Sequence, residues 1–274
     1  MTLFLPHDQS LRLGSPTPVM GIVNVTPDSF SDGGAFATPA AAAEHGERLA
    51  AEGAAILDVG GESTRPGASA VTAEEEISRV VPVIAALRRR VGLPISVDTS
   101  KARVAAAALK AGASMVNDVW GFQRDREMAR VVADSGAAAV LMHNRATVDP
   151  GLDIMADIRD FLSRSIDIAL AAGVLEERLL VDPGFGFGKT PAQNLQLIRR
   201  LRELGALGRP VLLGVSRKST IGIVTGQKAP AERVAGSIAA GLAGVMNGAA
   251  ILRVHDVAPH VQALQVLHAI ASAP

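Results

Sequence analysis

Acidic, amide and cationic side chains recur directly after short apolar runs in this chain. Asp98 closes Ile95-Ser-Val-Asp98, Asp182 closes Leu179-Leu-Val-Asp182, and Asn117 follows Val116. The run Pro210-Val-Leu-Leu-Gly-Val215 passes straight into Ser216-Arg-Lys-Ser219, and Ala249-Ala-Ile-Leu252 passes into Arg253-Val-His-Asp256. Carboxylates accept hydrogen bonds, whereas an amide both donates and accepts. Asp98, Asp182 and Asn117 together therefore suit a flat ring with fused amino and amide edges. A guanidine-like edge is read bidentately by a carboxylate. Lys218, Arg253 and His255, with Ser216 and Ser219 as further donors, suit an anionic group such as a phosphate.

Taken singly, each residue has a plainer role. A lone Asp at a strand end caps the turn or helix that follows. Lys218 alone could be a solvated surface lysine or a Schiff-base nucleophile. His143, after Met142, reads as a core or rim histidine, and Arg88-Arg-Arg90 as a solvated helix end near the negative pole of the macrodipole. Asp58, ahead of Val59-Gly-Gly-Glu62, stays open between a ligand-facing and a structural role, the structural one being simpler. The ligand reading of the others rests on their shared position at successive run ends.

The elements that must position them follow from the pattern. Eight strand-like runs occur at 19–23, 55–59, 94–97, 114–116, 138–142, 179–181, 210–215 and 249–252. Helical segments lie between them at 39–52, 73–90, 102–111, 127–135, 157–172, 192–204 and 231–246, and a last one spans 258–271. Strict alternation implies right-handed βαβ units and a parallel sheet. A recurring Gly-Ala phrase, at Gly53, Gly112, Gly136 and Gly248, puts glycine just past a helix, as a C-cap requires. The fold expected is an α/β (β/α)8 TIM barrel filling one domain over 1–274, with a short N-terminal extension at 1–18. The competing open sheet is disfavoured by the count of eight and the lack of a GxGxxG turn. In such barrels the chemistry sits at the carboxyl ends of the strands. Those positions read Asn24, Asp58, Asp98, Asn117 with Asp118, His143, Asp182, Lys218, and Arg253 with His255.

Three loops are rich in glycine and hydroxyls: Asn24 to Gly34, Gly60 to Gly67, and Asp182-Pro-Gly-Phe-Gly-Phe-Gly-Lys189. In the third, Phe185 and Phe187 could pack a flat substrate. The chain has 274 residues, 48% hydrophobic, with 27 basic and 27 acidic side chains. That balance gives no general pull toward nucleic acid or membrane. The lack of cysteine excludes disulfides and thiol chemistry. The opening Met1-Thr-Leu-Phe-Leu-Pro-His-Asp has no basic n-region, so a cytoplasmic location is expected.

Together the phrases resemble the dihydropteroate synthases of folate biosynthesis. The carrying motifs are Gly21 to Gly34, Asp58-Val-Gly-Gly-Glu-Ser-Thr-Arg-Pro-Gly67, Ile95-Ser-Val-Asp-Thr-Ser100, Val116-Asn-Asp118 and Leu141-Met-His143. Asp182 to Lys189, Ser216-Arg-Lys-Ser219 and Arg253-Val-His-Asp256 complete them, in the family's order. One departure is Asn144-Arg-Ala-Thr-Val-Asp-Pro150, where many relatives carry Met-Gln-Gly.

The resemblance implies a transferase of the pterin-methyl group. It would join 6-hydroxymethyl-7,8-dihydropterin diphosphate to 4-aminobenzoate, giving 7,8-dihydropteroate and diphosphate. It implies that Asp98, Asn117, Asp182 and Lys218 hold the pterin, and that Arg253 and His255 hold the diphosphate. Asn24 would help ligate a Mg2+. Phe30, Thr64, Arg65, Pro66, Phe187 and Ser219 would shape the 4-aminobenzoate pocket that sulfonamides mimic. A homodimer is implied by the resemblance alone. The rivals are a pterin-binding methyltransferase acting with a corrinoid protein, a Schiff-base aldolase using Lys218, and a pterin-binding relative without turnover.

Overall fold

The computed structural model describes residues 1–25, 38–63 and 70–274. Its first element is an antiparallel hairpin of β1 (Thr2–Leu5) and β2 (Gln9–Arg12), in register Leu3 to Leu11. His7 and Asp8 take positive φ at the turn, the geometry a tight hairpin demands. Eight parallel strands follow: β3 (Val19–Asn24), β4 (Ile56–Gly60), β5 (Ile95–Asp98), β6 (Met115–Asp118), β7 (Ala138–Met142), β8 (Leu179–Asp182), β9 (Val211–Leu213) and β10 (Ala249–Val254). They close in chain order, with β10 pairing back onto β3, so the fold is a (β/α)8 TIM barrel. The helices between are α1 (Pro39–Ala51), α2 (Ala73–Arg90), α3 (Ala102–Lys110), α4 (Met128–Ser135), α5 (Ile154–Ala171), α6 (Pro191–Arg199), α7 (Ser219–Thr225) and α8 (Val234–Met246). α9 (Val257–Ala271) is the last.

The strand period of two divides the core into two layers. Leu57, Val97, Val116, Leu141, Val181 and Leu213 face out and pack under the helices. Met20, Ile56, Met115, Leu180, Leu212 and Ile251 form the inner layer, and Leu3, Leu5, Leu11 and Leu13 of the hairpin pack onto it. The extension expected at 1–18 is thus a plug that closes the amino-terminal end of the barrel. Each fully buried leucine there contributes about 2 kcal/mol.

Helix starts follow local chemistry. The Thr72 side chain accepts from the Glu75 amide to begin α2. Thr190 and Gln193 form a reciprocal capping box at α6, with Pro191 at its first position. Gly136 ends α4 in the left-handed conformation. Two expectations change. The segment expected as one helix over 192–204 is α6 followed by a 3-10 stretch at Leu201–Leu207. The sequence after Lys218 is helical at once, as α7, with a further 3-10 turn at Pro230–Arg233 before α8.

Candidate active site

The same alternation that points Ile56, Met115, Leu180 and Ile251 into the barrel points the residues two further along, Asp58, Asn117, Asp182 and Arg253, into it one layer higher. Parallel pairing sets Asn24 beside Gly60, Gly60 beside Asp98 and Asp98 beside Asn117. Polar groups therefore ring one mouth of the barrel because each strand changes chemistry at the same height.

Arg253 ties the ring together. Its Nε donates to Asp58 Oδ2 at 2.6 Å and its terminal nitrogen donates to Asp98 Oδ2 at 2.7 Å. Asn117 Nδ2 donates to the same Asp58 oxygen at 3.2 Å. Burial works against the charge on Arg253, but Asp58 and Asp98 outweigh it and hold the guanidinium protonated. Asp98 is pushed up to about 7, chiefly by burial, with Arg253 opposing and Asp58 adding repulsion. Asp182 is 5% exposed and is raised by burial against the pull of Lys218. One of its oxygens accepts the Gly184 amide at 2.7 Å. Gly214 lies between Arg253 and Asp182, and a Cβ there would stand 3.8 Å from Arg253 Cβ and 3.9 Å from Asp182 Oδ2.

Lys218 is the residue ahead of α7, so the helix start fixes where its side chain leaves the backbone. Its ammonium donates to the Phe185 carbonyl and lies 4.5 Å from the centre of the Phe187 ring. Burial brings it down to about 8, with Asp182 opposing. The neighbouring Arg217 is held at φ 58 and forms a forked ion pair with Asp256, at 2.9 and 2.5 Å. That fork locks the turn after β9 to the turn after β10. Ser216, buried, accepts from the His255 amide at 3.2 Å and pairs with His255 Nδ1 at 3.0 Å. Ser219, the first residue of α7, is exposed. Asn24 stands half-buried at the rim, where its side-chain oxygen would come 3.8 Å from a Cβ placed on Gly60.

Asp98, Asn117, Asp182, Lys218 and Arg253 therefore face one hollow, with Phe187 against Lys218 and His255 behind Ser216. Phe30, Thr64, Arg65 and Pro66 lie outside the described residues. The structure decides the open case of Asp58 and changes the reading of Asp118 at its strand end and of Phe185 in the loop after β8. Asp58, left open from sequence, is fully buried in the middle of the site and partners both Arg253 and Asn117. Asp118 faces the other way and accepts the amides of Trp120 and Phe122, which makes it a turn former. Phe185 is fully buried: its carbonyl accepts from Lys218, and its ring centre lies 6.0 Å from that ammonium, beneath the site and not open to a substrate. His143 is a buried core histidine bonded to Asp157, as its sequence context suggested.

This geometry has counterparts. The profile of the pterin binding enzyme family matches residues 20–255. The dihydropteroate synthase of Clostridium beijerinckii is 46% identical over 259 residues, covering 94% of this chain and 96% of that one. The chain belongs to the dihydropteroate synthases. Among solved structures, the Xanthomonas albilineans dihydropteroate synthase with 4-aminobenzoic acid superposes with a TM-score of 0.90 at 52% identity, covering 94% of each chain. The same enzyme in complex with 7,8-dihydropteroate gives 0.88 at 50% identity, covering 97% of each chain. Membership makes this chain a pterin-transferring enzyme. No helix among the described residues is long and apolar enough to cross a membrane.

Proposed function

We propose that this dihydropteroate synthase joins 6-hydroxymethyl-7,8-dihydropterin diphosphate to 4-aminobenzoate, releasing diphosphate, with the roles of its residues divided around the hollow. The group moved is the pterin with its exocyclic methylene carbon. The observation that carries the reading is one cavity that joins a carboxylate and amide set to a cationic corner through Arg253. Asp182 and Asn117 suit the amino and amide edges of the ring, and Asp98 supports positive charge on it. Lys218 is held as an ammonium by Asp182 and the Phe185 carbonyl. In that form it orients the pterin and does not attack. Burial alone would favour the free amine that a Schiff-base lysine needs; the opposing Asp182 charge and the match to dihydropteroate synthases support the orienting role instead.

The carbon–oxygen bond breaks with its electron pair leaving on the diphosphate. Arg253 and His255 stabilise that developing charge. The arylamine nitrogen then forms the new carbon–nitrogen bond and gives its proton to solvent. Because the arylamine is weakly basic, positioning against Phe187 and Ser219 matters more than base catalysis. Asn24 would help hold Mg2+: its side-chain oxygen and Asp98 Oδ2 would each stand 3.8 Å from a Cβ on Gly60, which gives an amide and a carboxylate oxygen on one side, and such an ion usually keeps several waters beside carboxylate and substrate phosphate oxygens. When bound, that ion would screen the diphosphate charge.

A homodimer is proposed through α8. This helix carries no charged residue, yet Ile238, Leu242 and Val245 are only half-buried and Met246 is 64% exposed. On α7, Ile223 and Val224 are exposed at 65% and 62%. An apolar helix with an uncovered face suits a second copy.

The test is diphosphate release from the pterin substrate, measured with and without 4-aminobenzoate and with and without Mg2+. Release that needs both supports the reading. Steady release independent of the arylamine, or none under any condition, overturns it.

A further inference from the structure

Behind the hollow lies a chain of three charged or titratable groups, two of them buried and the third, Asp157, half-exposed and paired also with Arg145 at 2.8 Å. Asp157, on α5, pairs with His143 Nε2 at 2.9 Å. His143 Nδ1 pairs with Lys189 Nζ at 2.8 Å. Lys189 also donates to the carbonyls of Gly184 at 2.8 Å and Phe187 at 3.0 Å. An ammonium has three protons, and three acceptors surround this one. With Lys189 in that form, His143 Nδ1 is the lone-pair nitrogen and the Nε2 proton is directed at Asp157; burial brings Lys189 down to about 7, with Asp182 opposing. Burial and the Lys189 charge hold the imidazole neutral, as that tautomer requires.

The two carbonyls are the informative partners. They belong to the loop running from Asp182 to Lys189, whose middle meets Lys218 at the Phe185 carbonyl, at the Phe187 ring 4.5 Å away and, more distantly, at the Phe185 ring 6.0 Å away. The loop is also wedged from outside. A Cβ on Gly184 would lie 1.8 Å from the His143 carbonyl, and one on Gly188 would lie 2.4 Å from Arg145 Cβ. At φ 67 and 59 these glycines let the backbone run flush against the segment after β7. Lys189 then draws the loop into a curl from within.

We infer that Lys189, held by the His143–Asp157 pair, is a positioning residue for catalysis: it fixes the curl that presents the Phe185 carbonyl and the Phe187 ring to Lys218. This rests on the proposed role of Lys218 in orienting the pterin. Partners that orient a functional group from behind typically cost ten- to a hundredfold when removed.

The experiment is a double-mutant cycle on kcat/KM for the pterin diphosphate, with thermal melting of each purified variant as the check on folding. Lys189→Met, close to isosteric but unable to donate, should lower kcat/KM by about ten- to a hundredfold. In a Lys218→Ala background it should cost distinctly less, because of the two groups the curl places only the Phe187 ring still has a role. Asp157→Ala, which removes the acceptor at the half-exposed end, runs through the same cycle and decides the matter if Lys189→Met does not fold. It should cost about threefold to tenfold alone and clearly less beside Lys218→Ala. Equal losses in both backgrounds, or wild-type kinetics in the folded single variants, overturn the inference. A wild-type chain that shows no turnover would instead sink the functional reading on which it rests.

Discussion

Asp58 offers the sharpest test of how the site is built. It is fully buried, and one of its oxygens serves both Arg253 and Asn117, so two functional side chains depend on a residue with no obvious claim on the substrate. Asp58→Ala removes both bonds and leaves Arg253 anchored by Asp98 alone. Cutting one side of a buried ion pair costs about 3–5 kcal/mol when no partner remains. With Asp98 retained, about 2–4 kcal/mol is expected, which corresponds to roughly thirty- to a thousandfold in kcat/KM. Asp58→Asn separates geometry from charge. Its amide oxygen can still accept from both partners, while its nitrogen takes the place of an oxygen that has no partner among the described residues. Exchanging charge-assisted bonds for neutral ones costs about 1–1.5 kcal/mol, or roughly five- to tenfold. The assay is steady-state diphosphate release on folded protein, verified by melting. If Asp58→Ala stays within twofold of wild type, the support role is wrong. If Asp58→Asn is as damaging as Asp58→Ala, charge matters and the shared-oxygen geometry does not.

Two further predictions are cheaper. Asp98 is lifted to about 7, so below that pH it is protonated and loses its pairing with cations, whereas Lys218, brought down to about 8, loses its charge above that pH. The free-enzyme profile of kcat/KM should therefore rise through about 7 and fall beyond about 8, with both limbs belonging to the coupled cluster; a profile flat from 6 to 9 contradicts it. Leu3→Ala, in the hairpin plug, should lower stability by about 2–5 kcal/mol in denaturant unfolding while leaving kcat/KM near normal. A loss of activity without a loss of stability would show that the plug reaches the site in some other way.

The barrel is readable in the sequence because its strands are buried on both faces and so appear as continuous apolar runs, each followed by a helix, with glycine past the helix end at Gly53, Gly112, Gly136 and Gly248. The plug was not legible from sequence: Leu3, Leu5, Leu11 and Leu13 stand at alternate positions, but Phe4 breaks the first alternation and the Pro- and Gly-rich surrounding hides a strand pair only four residues long on each side. Asp98 and Asp182 stood out by ending their runs. Asp58 sits inside its run, ahead of Val59, with nothing to mark it, and its importance comes from Arg253, 195 positions away, which only barrel closure brings within reach. Phe185 and Phe187 look alike in sequence. Their fates differ because the curl around Lys189 turns one ring inward and the other toward Lys218. The resemblance to a family pointed to the residues of the hollow, but the side that holds them in place comes from packing.

The central claim is that one hollow binds the ring through carboxylates and the leaving group through a separate cationic corner. Calorimetry with 6-hydroxymethylpterin and with its diphosphate tests this on wild type, Asp182→Asn and Arg253→Ala. The account predicts that Asp182→Asn weakens both ligands by a similar factor and leaves the gain from the diphosphate intact, whereas Arg253→Ala erases most of that gain. A diphosphate gain untouched by Arg253→Ala, or ring binding untouched by Asp182→Asn, would contradict it.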